Sequence, residues 1–240
     1  MIYLYTDFGA ADIYVGQVKA ALAQHAPSVS VIDIFHDAPA FQITVNAHLL
    51  AALCQRLPAG GVVCAVVDPG VGGDRDGVVI ATDDRYFVGP DNGLLSVVTA
   101  RSSILHVWKI QWQPALLSAS FHGRDVFAPI AAWIATVKFP ADKLSGLAKL
   151  GVETAPDDLA QIIYIDHYGN AYTGLRCAAL GAVSTLTIKG NQLPRARTFS
   201  DVALGSAFWY ENSLGLAEIA INQGNAAARF GLQIGDAVLV

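Results

Sequence analysis

Charge is scarce in this chain. Only 15% of its 240 residues are Asp, Glu, Lys or Arg, and the formal net charge is -5. With a sequence pI near 5.6, the charge balance gives no electrostatic reason to expect a nucleic acid, whose phosphates would demand a basic face, so a small ligand is the expected partner. Cysteine is scarcer. Cys54, Cys64 and Cys177 have neither the close spacing of a metal site nor the density of a disulfide framework, and are expected to be buried thiols. Long apolar runs are missing too. Although 53% of residues are hydrophobic and the mean hydropathy is +0.43, no stretch reaches the roughly 18 uninterrupted apolar residues of a membrane span. The apolar surplus is therefore assigned to a large core and a buried interface in an oligomer. The opening Ile2-Tyr3-Leu4-Tyr5 lacks the basic and small-residue flanks of a secretory signal, giving a cytoplasmic expectation. Also absent are the Walker phosphate loop, the dinucleotide glycine fingerprint, the His-Glu-x-x-His zinc motif and the Gly-x-Ser-x-Gly elbow. No metal or organic cofactor is indicated.

What is present is an alternation. Ile2 to Thr6, Val29 to Ile34 and Val62 to Val67 read as buried strands. Between them, Tyr14, Val18 and Ala21 repeat at helical spacing over Asp12 to about His25, and Ala47, Leu50, Cys54 and Leu57 do so from Ile43. Such a pattern predicts an α/β domain with a mainly parallel sheet. A further helix is predicted over Phe127, Ile130, Ala131, Ile134 and Val137, after the polar turn His122-Gly123-Arg124-Asp125. From about Lys138 to Leu159 the pattern loosens around Pro140, Pro156, Asp157 and Asp158, which places a domain boundary there, with domains at 1–155 and 156–240. Beyond it, Gln161 to Asp166, Ser184 to Ile188, Ala207 to Tyr210, Leu216 to Ala220 and Asp236 to Val240 are short β-rich runs between Gly, Asn and Pro turns. These predict a smaller all-β, barrel-like domain.

Ligands of parallel sheets bind beyond the carboxyl ends of the strands. The first strand ends in Thr6-Asp7-Phe8-Gly9 and the third in Asp68-Pro69-Gly70-Val71-Gly72, so each puts a carboxylate at that edge. Read alone, Asp68 is equally well a loop cap, Arg75 a solvated surface residue and His122 a structural histidine. The residues indicate a small-ligand site without naming the substrate.

Five motifs taken in order narrow it. Thr6-Asp7-Phe8-Gly9, Val67-Asp68-Pro69-Gly70-Val71-Gly72, Gly89-Pro90-Asp91-Asn92-Gly93-Leu94-Leu95, Phe121-His122-Gly123-Arg124-Asp125 and Asn212-Ser213-x-Gly215 together resemble the S-adenosyl-L-methionine hydroxide adenosyltransferase family, related to fluorinating and chlorinating enzymes. The resemblance implies hydrolysis of S-adenosyl-L-methionine to adenosine and methionine. It also implies a homotrimer whose active sites lie between the N-terminal domain of one subunit and the C-terminal domain of the next. By position, Asp7 matches the acceptor for the ribose hydroxyls. Phe8, Asp12 and Phe41 match residues lining the sugar and sulfonium pocket. Asp166 matches the partner of the methionine amine, Asn170 that of the adenine edge, Tyr172 and Phe199 aromatic neighbours of the adenine, and Ser213 a hydroxyl for the methionine carboxylate. The water-using members carry an Asp, Arg and His set, matched by Asp68, Arg75 and His122. Two departures stand out: relatives usually have Thr-Asn where this chain has Thr173-Gly174, and some carry arginine where it has Leu214.

Three other readings compete with hydrolysis. Halide transfer shares the substrate, but fluorinating relatives carry Tyr at the position of Asp68 and Ser at that of Gly123, and a carboxylate repels a small anion. A binding protein without turnover, or an oligomer with a purely structural role, would leave the water-handling set Asp68, Arg75 and His122 without a task.

Overall fold

The computed structural model describes residues 1–136, 138–152 and 158–240. Val137, Pro156 and Asp157, named above in the helix and in the domain connection, lie outside the described residues. The chain divides into two compact units, Met1–Ala47 with Leu57–Ala155, and His48–Arg56 with Pro156–Val240.

In the first unit the elements follow as β1 (Ile2–Thr6), α1 (Ile13–His25), β2 (Val31–Phe35), α2 (Ile43–Cys54), β3 (Val62–Val66), β4 (Gly77–Ala81), β5 (Tyr86–Pro90), α3 (Ser96–Ala100), β6 (His106–Ile110), α4 (Ala128–Ala135) and β7 (Leu144–Leu147). The last turns of α2 are grouped with the second unit. The strands form one seven-stranded sheet in the order β2-β1-β3-β5-β4-β6-β7. Its parallel part is β2, β1, β3 and β5. The sheet is mixed, because β4 pairs antiparallel with both β5 and β6, and β6 antiparallel with β7. Strands β4 to β7 were not foreseen. Gly77–Ala81 and Tyr86–Pro90 are joined by the short polar link 82–85, a hairpin grafted onto a parallel core.

Burial explains the strand assignments. Every residue of β1 and β3 is buried, as expected of apolar runs covered on both faces. Ile2, Leu4, Val62, Cys64 and Val66 form a core with Val18 and Leu22 of α1 and Ile130, Ala131 and Ile134 of α4. Each fully buried Leu, Ile or Phe contributes roughly 1.5–3 kcal/mol, so α4 and the turn before it are held to the sheet. The segment expected to be only a polar turn is wound: Gly123–Phe127 forms a π turn, with the Ala128 N–H bonded to the Gly123 carbonyl, that runs directly into α4. Among the described residues, no helix is long and apolar enough to cross a membrane. All three cysteines are buried.

The second unit contains β8 (Leu159–Ile165), β9 (Ala171–Arg176), α5 (Cys177–Leu180), β10 (Thr185–Ile188), β11 (Asn191–Pro194), β12 (Ala207–Glu211), β13 (Leu216–Ile221), α6 (Ala226–Phe230) and β14 (Val238–Leu239). Its strands form two antiparallel sheets, β12-β13-β9-β8 and β11-β10-β14. Isolated bridges Gln161↔Ala237 and Arg195↔Trp209 join residues next to or within the two sets. The core includes Ile162, Ala171, Leu186, Ile188, Trp209 and Ile219. Strands β9 and β11 were missed, since Gly174 and Pro194 interrupt their apolar patterns.

Candidate active site

The parallel strands end where the sequence placed its carboxylates. Asp7 follows β1 directly, and Asp68 lies two residues beyond β3. The loop from Asp68 then turns back on itself through Gly72, which has φ +80° and whose absent Cβ would sit 2.5 Å from the Ala119 carbonyl oxygen. Only glycine meets both demands without strain. The turn returns Arg75 to the carboxylate seven residues before it.

Arg75 is the centre of the arrangement. Its Nε lies 3.0 and 2.9 Å from the two oxygens of Asp68, and Nη2 also donates to Asp68 Oδ2. The same Nη2 is 2.9 Å from His122 Nδ1. The side chains of Arg75 and Asp68 are only 12% and 5% exposed, so this is a charge pair in a sheltered setting, where charge-assisted bonds are strongest. The guanidinium carbon also lies 5.2 Å from the centroid of Phe127, a ring that the π turn tucks beneath it. The three residues that separately read as a cap, a surface charge and a structural histidine are one bonded set.

The protonation states follow. An arginine nitrogen can only donate, so His122 Nδ1 accepts and the proton of the neutral ring is on Nε2. Burial, reinforced by Arg75, holds the His122 pKa below the usual histidine value, against the pull of Asp68 and Asp125. Asp7 moves the other way. Its carboxyl is raised above the ordinary range by burial, with a further push from the negative charge of Asp68, although a backbone hydrogen bond opposes this. Asp7 therefore feels the field of the Asp68 set.

Phe8 packs edge-on to Phe121 at 5.7 Å and also meets Tyr14 at 6.1 Å. A Cβ on Gly123 would fall 2.9 Å from Phe8 Cζ, so this ring closes over the position where fluorinating relatives are expected to carry serine. Asp12 is exposed and caps α1, its carboxylate accepting the Ile13 N–H at 2.6 Å. Phe41 is 75% exposed and held at φ +64°, a conformation rare for a bulky residue and one that clusters at ligand clamps.

Within the second unit, Asp166, Asn170, Tyr172 and Phe199 line one cavity of about 570 Å³. Ser213 does not line it; it stands exposed on the turn between β12 and β13. Asp166 organises its own loop, accepting from the Tyr168 and Asn170 N–H groups at 2.9 and 2.8 Å and from the Asn170 amide at 3.2 Å. Tyr210 and Glu218 line the same cavity and were not foreseen. Glu218 accepts from Tyr210 Oη at 2.7 Å and from Asn212 Nδ2 at 3.0 Å; burial still raises its carboxyl above the ordinary range. The available signal was a single charge in the otherwise apolar run Leu216–Ile221. Gly174 has a packing reason: a Cβ there would meet the Leu159 carbonyl oxygen and Cβ at 2.6 Å, so the approach of β8 leaves no room for a side chain at this position. Among the described residues no cluster of three or more His, Cys, Asp or Glu could hold a metal ion.

Residues 2–144 match the SAM hydroxide adenosyltransferase N-terminal domain and residues 160–239 the corresponding C-terminal domain. The chain belongs to the S-adenosyl-L-methionine hydroxide adenosyltransferase family. A family relative in Thermus thermophilus, named (R)-S-adenosyl-L-methionine hydrolase, is 36% identical, the match covering 98% of this chain and 96% of the relative. A fluorinase of Nocardia brasiliensis is more distant, 23% identical over 100% of this chain and 96% of its own length. Among solved structures, an uncharacterised conserved protein from Thermotoga maritima superposes with a TM-score of 0.90 at 29% identity, covering 100% of this chain and 99% of that one. Membership of the hydroxide adenosyltransferase family covers both units.

Proposed function

We propose that this protein hydrolyses S-adenosyl-L-methionine to adenosine and L-methionine, with a water-derived hydroxyl displacing the sulfonium at the ribose 5′ carbon. The observation that carries this reading is the Asp68–Arg75–His122 set in a chain whose nearer named relatives are hydrolases. The leaving group starts as a cation and departs as a neutral thioether, so it needs no acid. What the reaction needs is a water aligned opposite the C–S bond. Asp68 retains lone pairs to accept one water proton, while Arg75 fixes the carboxylate and offsets its charge. As the C–O bond forms, the C–S electron pair leaves with sulfur, and positive charge passes to the attacking oxygen. That oxygen becomes strongly acidic, so a weakly basic carboxylate is sufficient to take its proton and pass it to solvent. Neutral His122 contributes its Nε2–H to orientation. Displacement of this kind moves no electrons to an acceptor and calls for no cofactor.

Asp7 is assigned to the ribose hydroxyls, with Phe8, Asp12 and Phe41 along the sugar and sulfonium. Asp166 is assigned to the methionine amine, Asn170, Tyr172 and Phe199 to the adenine, and Ser213 to the carboxylate. Because these residues fall into two sets, one per unit, the reading includes a cytoplasmic homotrimer in which a barrel-like C-terminal domain completes the site of a neighbouring subunit. Exposed Ile13, Phe41 and Leu116 in the first unit and Tyr168 and Leu204 in the second supply apolar surface consistent with such burial.

Incubation with S-adenosyl-L-methionine in heavy-oxygen water, with and without halide and beside Asp68→Ala, tests the reaction. Labelled adenosine and methionine, insensitive to halide and lost in the variant, are expected. A 5′-halogenated nucleoside, or saturable binding with no product, would overturn the reading.

A further inference from the structure

A second hydrogen-bonded chain lies behind Asp7, and the reaction leaves it without a role. Thr6, the last residue of β1, is 1% exposed. Its Oγ1 is 2.7 Å from His36 Nδ1 and accepts the Phe8 N–H at 3.4 Å. His36 is itself 5% exposed, and its Nε2 lies 3.1 Å from Asp33 Oδ1. The other Asp33 oxygen accepts from Lys19 Nζ at 2.6 Å.

The donors and acceptors run in one direction. A carboxylate only accepts, so the proton of a neutral His36 sits on Nε2 and its Nδ1 has a lone pair. The Thr6 hydroxyl accepts from Phe8 and is free to donate to that lone pair. Phe8, Thr6 and His36 Nδ1 then have matching partners, while His36 Nε2 faces the Asp33 carboxylate at 3.1 Å as a charge contact rather than a hydrogen bond. Backbone bonds fasten the same two loops: the Gly9 N–H to the His36 carbonyl at 2.8 Å and the Ala38 N–H to the Thr6 carbonyl at 3.2 Å. The Ala10 N–H is bonded to Asp37 Oδ1 at 2.9 Å. Asp7 sits between Thr6 and Phe8, flanked on both sides by groups in this chain.

We propose that His36, acting through Thr6, is a positioning residue that sets the Asp7–Phe8 segment for ribose recognition, which rests on the reading of Asp7 as the ribose acceptor. Thr6 is too buried to act on substrate, and its hydroxyl is committed to the ring behind it. Breaking the chain releases the segment carrying Asp7 and leaves the Asp68–Arg75–His122 set in place. The cost therefore falls on substrate capture.

The test compares Thr6→Val, which keeps the β-branched shape and removes the hydroxyl, with Thr6→Ser, which keeps the hydroxyl, and with Asp7→Ala. Steady-state kinetics on S-adenosyl-L-methionine and calorimetric binding of adenosine are the readouts. Thr6→Val is expected to raise KM and weaken adenosine roughly tenfold, the loss of one hydrogen bond, with kcat within about twofold. Thr6→Ser restores both. Unchanged KM and adenosine affinity in Thr6→Val, beside a clear loss in Asp7→Ala, would overturn the positioning role alone. Unchanged affinity in Asp7→Ala would instead remove the ribose reading, and this proposal with it. Nitrogen NMR of the unsubstituted protein gives an independent readout: His36 Nδ1 is expected to be pyridine-like and Nε2 pyrrole-like, and the reverse tautomer overturns the proposal.

Discussion

At the scale of single residues, the division of labour between Asp7 and Asp68 is open to direct measurement. Replacing Asp68 by alanine should lower kcat by about 10²–10⁴-fold, the range for a group handling a proton in the transition state, while adenosine affinity changes little. Asp7→Ala should show the opposite pattern. Equal losses of affinity in both variants would dissolve the assignment. His122 adds a pH signature. Because its pKa is depressed in the folded protein by burial and Arg75, the unfolded chain binds the extra proton first as pH falls. The stability linked to this ring is therefore fully present above the ordinary histidine value of about 6.5 and is lost as pH drops through the window below it. The acid limb of kcat/KM should lie in that same window and vanish in His122→Asn. A limb at or above the ordinary value, or one unchanged in the variant, would clear His122 of the effect.

At the scale of elements, the loop from Asp68 to Arg75 depends on Gly72. Gly72→Ala forces a side chain into positive φ and against Ala119, a strain of about 1–3 kcal/mol. It should lower both the unfolding temperature and kcat, and a fully active variant with unchanged melting would refute the close approach. The buried strands β1 and β3 were legible because five consecutive residues in each are apolar or β-prone. The π turn was not. Phe127, Ile130, Ala131 and Ile134 give a helical period, but no residue type announces that the preceding bond spans five residues, since that choice is made by packing around Phe127. The hairpin β4–β5 escaped for a related reason: its short strands carry no helix between them to punctuate the pattern.

At the scale of the molecule, light scattering should report a particle three times the 25.3 kDa chain mass, and a monomer at the concentration of full activity would sink the shared-site arrangement. Of the five second-unit residues matched by resemblance, Asp166, Asn170, Tyr172 and Phe199 share a cavity and Ser213 does not; a cavity is made by strands meeting in space, which no single motif records. Glu218 and Tyr210 escaped because their significance arises from cross-strand pairing, Tyr210 opposite Glu218 on β12 and β13, and partner choice between strands is not written at either position alone.

One arginine nitrogen serves both Asp68 and His122, and this constrains how the family can change. Removing Arg75 or Asp68 leaves a sheltered charge without its counter-ion, whereas removing His122 leaves the Asp68–Arg75 pair intact. The double variant Asp68→Ala with His122→Ala should then cost far less than the two single losses added together. In evolutionary terms the carboxylate and the guanidinium are expected to be replaced together rather than one at a time, with the toll of any first step set by that single shared nitrogen.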